Sequence, residues 1–366
     1  MNLYTFPDVL ARMPFLAEFD DESTDQEFAA LVAQLRPRLR NVLGVTIGKG
    51  GQGKTTLAAN VAYMLAEEQA ARAANGKSAK PILYVELDAN GNGRREFGLQ
   101  DGEFDDDGAR LLKALTTDGD FTVVRDVKPY LDSAISGAKL GDLSSRISRI
   151  SMDHGSGAYL LLALLLAQIS HHYRWIILDF SPGDKETQRS GMAAATHHIA
   201  PVMDSDNGTL DGLKTLALLL RKTRKLLNPE AEITAIAFLG FNKREEKQTA
   251  QLEIVRTKIE AQLVKANLDP ALMLDGFVRK AEGLAALCRN QGRPAREMAM
   301  AASGELMDRK TGETVPRPRD ERGRYVEKVH AIKLASDYND VVRELITRVR
   351  ARNNMLRERE AQGAVA

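Results

Sequence analysis

The sequence predicts an α/β fold: a mostly parallel twisted sheet with helices on both faces. Three observations predict it. Short β-rich apolar runs alternate with longer stretches of helical periodicity along most of the chain. The glycine-rich stretch "GKGGQGKTT", residues 48–56, sits directly between an apolar run and a helical pattern. The 366 residues are 43% hydrophobic and 28% charged, which is ample apolar surface for one large core.

The elements follow in order. Residues 1–30 are acidic, and Thr24 with Glu27 makes a capping-box pattern ahead of Phe28, Leu31, Val32 and Leu35 at helical spacing. A helix is expected from about Asp25 to Leu35, ended by Pro37. "NVLGVTIG" then reads as a buried strand running into the glycine loop. Further strands are expected at "PILYVELD", "RWIILDF", "HHIAPVM", "ITAIAFLGFN" and "LMLDGFV", with helices at 54–70, 155–170, 209–227 and 247–266 between them. The run "YLLLALLLAQI" at 159–169 is too short to cross a bilayer and reads as a buried helix. Residues 303–328, rich in Gly, Pro and mixed charge, read as a loop or insertion. A last helix at about 329–352 carries Val341, Val342, Leu345, Ile346 and Val349 on one face. The expected organisation is an acidic N-terminal extension with one helix (1–40), a central domain (41–302), the charged loop (303–328), and a C-terminal helix and tail (329–366) packed on the central domain.

Composition excludes several function classes. A net charge of +1 argues against a surface that coats nucleic acid all round but permits a local basic face. The lone Cys288 allows no internal disulfide and no cysteine-based zinc or iron–sulfur site within one chain, which suits a reducing cytoplasm. The N-terminal residues lack a basic stretch followed by a long apolar run, so no signal peptide is expected. His171, His172, His197 and His198 have no carboxylate beside them at ligand spacing, and no metal role is expected for them.

Gly48, Gly53, Lys54 and Thr55 satisfy G-x-x-x-x-G-K-[ST]. In such a loop the glycines let backbone amides wrap phosphates, the lysine reaches the terminal oxygens, and the hydroxyl ligates magnesium. Gly50, Gly51, Gln52, Gly53, Lys54, Thr55 and Thr56 are therefore the candidate nucleotide-binding residues, with Thr55 a candidate magnesium ligand. Lys49 is a second lysine that an ordinary phosphate loop does not need.

With that second lysine, "KGGQGKTT" resembles the deviant phosphate loop of the ParA/MinD family of dimeric ATPases, over about residues 41–300. The resemblance implies binding of ATP and Mg²⁺, a P-loop NTPase fold, and a homodimer that forms with ATP. In such a dimer Lys49 reaches the partner's nucleotide, in the manner of an arginine finger. "ELDANGN" resembles the segment whose Asp positions the attacking water, which implies a catalytic role for Asp88 beside Lys49 and Lys54. "ILDFSPGD" resembles the second acidic strand end, with Asp179 supporting magnesium through water. "FLGFNK" implies that Asn242 contacts adenine. The chain departs from the family pattern at Gln52, Glu86, Ala89, Asn90 and Ser181, which bears on the rate of hydrolysis.

"RKTRK" places Arg221, Lys222, Arg224 and Lys225 at the end of a helix, and "TRVRARNNMLRER" adds cations in the last helix. Cations there complement the helix dipole; in the resembled family such a face binds DNA, through phosphates and without reading sequence. The resemblance thus implies a ParA-type partition ATPase that is cytoplasmic and nucleoid-associated, binds DNA non-specifically, and is stimulated by a centromere-binding adaptor of ParB type. Its cargo would be a plasmid or other mobile DNA. No membrane partner is expected, since the terminal helix lacks bulky aromatics. The alternatives are a related ATPase that positions a protein machine or acts at the membrane, and a non-catalytic scaffold stabilised by ATP.

Overall fold

A computed structural model describes residues 1–7, 25–116, 120–204, 206–242 and 246–363. Its frame is a nine-stranded mixed sheet in the order β1-β4-β5-β3-β6-β2-β7-β8-β9. The strands are β1 (Asn2–Phe6), β2 (Val42–Val45), β3 (Ile82–Glu86), β4 (Phe121–Lys128), β5 (Leu131–Ala134), β6 (Trp175–Asp179), β7 (His197–Val202), β8 (Glu232–Phe241) and β9 (Met273–Arg279). From β5 to β9 every neighbour pairs in parallel, and the antiparallel pairs are β1 with β4 and β4 with β5. The helices are α1 (Asp25–Leu39), α2 (Lys54–Ala74), α3 (Asn92–Glu96), α4 (Ala109–Ala114), α5 (Leu143–His154), α6 (Leu161–Ile169), α7 (Lys185–Ala194), α8 (Asn207–Leu226), α9 (Glu246–Lys265), α10 (Glu282–Asn290), α11 (Ala295–Ser303) and α12 (Lys328–Gly363).

The core lies on both faces of the sheet. One face packs against α1 and α4–α9, through Leu31, Leu35, Leu164, Leu213, Leu216 and Ile259 among others. The opposite face packs against α2 and α12, through Leu57, Val61, Leu65, Val341, Leu345 and Val349. The apolar stripe read from the last helix is thus the stripe that covers the sheet. Strands β2, β3, β6 and β7 are buried along their whole length, as continuous apolar runs in parallel sheets are.

Several boundaries differ from the sequence reading. Helix α1 continues through Pro37 to Leu39. The proline falls in the last turn, where its missing N–H removes one i→i−4 hydrogen bond, and buried Leu35 and Leu39 hold that turn on the core. Arg36 anchors it further by donating to the Ala193 carbonyl at 2.9 Å. The capping residue Thr24 lies outside the described residues. Helix α12 runs to Gly363 because Leu356 is buried, Asn353 donates to the Arg40 carbonyl at 2.8 Å, and Glu360 pairs with Arg40 at 2.5 Å. The segment expected as one helix over 155–170 is a 3₁₀ turn over Gly155–Leu160 followed by α6, as its two glycines weaken the α form. Strands β1, β4 and β5 have no counterpart in the sequence reading. Residues 2–6 extend the sheet by pairing with β4, so the N-terminal residues belong to the edge of the sheet. Residues 304–327 hold no helix or strand beyond two isolated bridges, Met307 with Thr314 and Arg319 with Tyr325.

Candidate nucleotide site

The glycine loop leaves the C-terminal end of β2, which lies between β6 and β7 inside the sheet, and enters α2 at Lys54. Gly51 and Gly53 both have φ of 72°, a left-handed conformation that a side chain makes costly. Gly53 is the residue before the first turn of α2 and no side chain caps that turn. Its amides are left for a ligand, as is usual of an anion site at a helix N-terminus.

Around the loop the sheet gathers carboxylates. Parallel pairing sets Asp179, at the end of β6, in register with Val45 on one side and Glu86 on the other. Asp179 and Glu86 are fully buried, and Asp88 is nearly so. Burial pushes the Glu86 carboxyl up to about 8, with the Asp179 charge adding to it and the Gly93 and Ser136 amides opposing it. Burial likewise pushes Asp179 up to about 7, opposed by the hydroxyls of Thr55 and Tyr84 and by Lys54. Tyr84 donates to Asp179 Oδ2 at 2.9 Å, while Oδ1 is buried without a hydrogen-bond partner among the described residues. A bare, buried carboxylate oxygen next to Thr55 fits a hard cation and its water. Asp88 Oδ1 accepts from the Asn90 amide at 3.0 Å and from Asn90 Nδ2 at 2.9 Å, so Asn90 orients it within its own turn.

The two lysines face different ways. Lys54 is buried, and its Nζ donates to the Lys49 carbonyl at 2.9 Å, a contact that a phosphate oxygen can replace. Burial lowers its pKa, opposed by Asp179 and Asp88. Lys49 points outward onto its own chain. Its Nζ lies 2.7 Å from Asp206 Oδ2, 3.1 Å from Asp204 Oδ2 and 3.2 Å from Thr209 Oγ1. Burial alone would lower the Lys49 ammonium, but Asp206 and Asp204 raise it above its ordinary value. Asp206 is itself held down at about 2, chiefly by its hydrogen bond from Lys49.

Sequence reasoning missed this acidic pair, although Asp206 caps α8 by accepting from the Thr209 amide, and "DNGT" carries that signal. Gln52, a departure from the family pattern, has a visible task. It is buried, accepts from the Met203 amide at 2.9 Å, and so ties the loop to the end of β7. Asn242 lies at the end of β8 and lines a cavity of about 330 Å³ with Arg279, Lys280, Glu282, Gly283 and His330. Arg279 is fixed there by Asp337 of α12, with contacts of 2.6 and 2.8 Å.

Arg221, Lys222, Arg224 and Lys225 stand at the other end of the sheet. They lie in the last turns of α8, near the start of β8, all exposed and with no ion pair among the described residues. Glu232, which opens β8, is raised by burial and feels the opposing charges of Arg352, Arg224 and Arg359, so the ends of α8 and α12 meet there. Three cations of α12 are committed elsewhere. Arg348 pairs with Glu344 at 2.6 Å, Arg350 with Glu68 at 3.3 Å and Arg352 with Glu232 at 2.7 Å. His197 and His198 are buried, and His197 bonds Thr234 and Asn353. Among the described residues, no helix is long and apolar enough to cross a membrane.

A stability prediction follows from the buried carboxyls. A carboxyl with a raised pKa favours the folded state below its ordinary value, and that contribution is lost as pH rises through the raised one. The nucleotide-free protein should therefore lose several degrees of melting temperature between about pH 6.5 and about pH 8.5. His197 and His198, pushed down to about 4 and about 3 by burial, act in the opposite direction and penalise acid. Melting curves across that range check this, and Glu86→Gln should flatten them.

The AAA domain family model matches residues 40–233, more than half of the chain. The chromosome partitioning protein ParA of Caulobacter vibrioides is 24% identical over 211 residues, which covers 56% of this chain and 70% of that protein. Among solved structures, nucleotide-free McdA from Cyanothece shares 16% identity at a TM-score of 0.57, over 71% of this chain and 93% of that one. A plasmid partition protein of Borrelia burgdorferi bound to AMPPNP shares 16% identity at a TM-score of 0.53, over 84% and 98%. At these identities the two structures show a shared fold.

Proposed function

The chain belongs to the AAA-domain family of ParA/MinD-type ATPases with the deviant phosphate loop, and from that membership we propose that it is a partition ATPase for plasmid or other mobile DNA. It binds ATP with Mg²⁺, dimerises around the nucleotides, holds nucleoid DNA without reading its sequence, and hydrolyses ATP when a ParB-type adaptor on the cargo engages it. The observation that carries this reading is the division of labour between the lysines. Lys54 is buried in the loop, whereas Lys49 reaches the surface at 25% side-chain exposure, held by partners it can exchange.

Gly50, Gly51, Gln52 and Gly53 present backbone amides to the phosphates, with Thr55 and Thr56 at the start of α2. Thr55 and Asp179 hold the magnesium ion, Asp179 through water. That ion supplies charge neutralisation at the phosphates. Asp88 orients the attacking water, and Asn242 meets the base. In the monomer, Asp204 and Asp206 hold Lys49 in cis; in the dimer it exchanges them for the partner's nucleotide. The family alternative of a non-catalytic scaffold draws on one observation: Asn90 already holds one oxygen of Asp88. Phosphate release measured with and without DNA separates the two readings.

DNA binding is assigned to Arg221, Lys222, Arg224 and Lys225. A dimer offers two such patches on one rigid body, which raises the effective concentration of the second contact into roughly the millimolar range. Binding should therefore require ATP and weaken steeply with salt. Arg224→Glu with Lys225→Glu should abolish it while ATP-dependent dimers persist. Retained binding with an unchanged salt slope in a filter or anisotropy titration would sink the assignment.

A further inference from the structure

Glu96 is a buried carboxylate that the proposed mechanism does not use. It closes α3, the short helix after the Asp88 turn, and is fully buried. Oε1 accepts from the Thr56 hydroxyl at 2.7 Å, and Oε2 has no hydrogen-bond partner among the described residues. Such a group is costly to keep where an apolar side chain would pack. Its place explains what it does. Thr56 is the third residue of α2, two after Lys54. The start of α3 is fixed as well, because the Gly93 amide donates to Glu86. Just beyond α3, Gly98 packs against Gly292 so closely that a Cβ on Gly292 would lie 2.3 Å from Gly98 Cα. The carboxylate therefore has little room to swing away from Thr56.

A hydroxyl has one proton to give. While Glu96 is ionised, Thr56 spends that proton on Glu96 and turns only lone pairs toward an arriving phosphate. Once Glu96 is protonated it donates to Thr56 Oγ1, and the Thr56 proton is released toward the phosphate. The geometry points to Glu96 as a positioning residue whose protonation sets the direction of the Thr56 hydroxyl, so that nucleotide binding takes up one proton from solvent. This rests on the nucleotide site proposed above but not on dimerisation, DNA binding or hydrolysis.

The surroundings bear on where that proton is held. Burial raises the Glu96 carboxyl to about 7, the Thr56 hydrogen bond and Arg289 of α10 oppose the rise, and the Asp179 charge adds to it. Tyr338 of α12 and Cys288 of α10 also face Glu96, and both are raised by burial with the Glu96 charge adding. They stay neutral in the relevant range. Glu96, Asp179 and Glu86, which accepts from Gly93 of α3, are then the groups around this end of α2 that change charge near neutrality.

The test compares ATP affinity across pH in the full-length wild type and in Glu96→Gln, without magnesium so that the coupling of Asp179 to the cation drops out. The side-chain amide that Glu96→Gln introduces donates to Thr56 much as a protonated carboxyl does. The two proteins should bind ATP alike at about pH 6. By about pH 8.5 the wild type should bind about tenfold more weakly than the variant, within the limit of about tenfold per pH unit that one linked proton sets. Parallel affinity profiles for the two proteins overturn the proposal. Should Glu96→Gln fold poorly, Thr56→Val serves instead: without the hydroxyl, the steeper wild-type dependence should vanish, and its persistence also overturns the proposal. Wild type that binds no ATP at any pH refutes the nucleotide site itself, which is a separate and distinguishable failure.

Discussion

Lys54→Ala is expected to lose ATP binding by a factor on the order of 10²–10³, the cost of deleting one partner of a buried charge contact. The reasoning begins with the cluster beneath the loop. Asp88, Asp179 and Glu86 are buried together there, and Lys54 is the cation set among them. Its loss removes the charge that attracts the terminal phosphates and leaves the carboxylates to repel them. Binding by the loop amides alone is all that remains. The folded state should survive, because the one hydrogen bond that Lys54 makes to the Lys49 carbonyl is a local tie within the loop. Calorimetric titration with ATP, paired with a melting curve, is the check. Micromolar affinity in the variant would move the phosphate site elsewhere.

Lys49→Ala should give the second largest effect and a different one. The variant should bind ATP nearly as well as the wild type, yet form no ATP-dependent dimer and release phosphate about 10³-fold more slowly, as when a trans-acting cation is removed. Gel filtration with ADP, ATP and a slow ATP analogue reads the first part. The acid pair makes a converse expectation. Asp204→Asn with Asp206→Asn frees Lys49 from its cis partners, so dimers should form at lower ATP concentration. The gain should be severalfold at most, because exposed ion pairs are weak and both carboxylates are substantially exposed, at 44% and 58%. Dimerisation of Lys49→Ala at wild-type ATP concentrations would remove the trans role.

Local pattern carried a good part of the architecture. Continuous apolar runs such as "ILYVE" and "WIILD" can be satisfied only by burial on both faces, so the parallel strands of the sheet are legible from composition alone. β4 and β5 escaped because "FTVVRDVKPYLDSA" mixes charges into its strands, and their place depends on distant partners, β1 for β4 and β3 for β5. Pro37 misled for a related reason. Its cost, one helical hydrogen bond, is local, and the packing of Leu35 and Leu39 outweighs it.

The same division holds at the site. The spacing of Gly48, Gly53, Lys54 and Thr55 is a contiguous signal, because a loop that wraps a phosphate is built from consecutive amides. The sequence by itself therefore determined the fold class, the phosphate loop and the presence of a second lysine. Only the tertiary structure decided what that lysine touches, since Asp204 and Asp206 are brought to it by the parallel pairing of β2 with β7. It also decided that Glu96 closes on Thr56, and that Arg348, Arg350 and Arg352 of α12 are paired while Arg221, Lys222, Arg224 and Lys225 of α8 have no ion pair among the described residues. Each of these rests on contacts between residues far apart in the chain, and an ion pair or a buried carboxylate leaves no periodicity by which to read it.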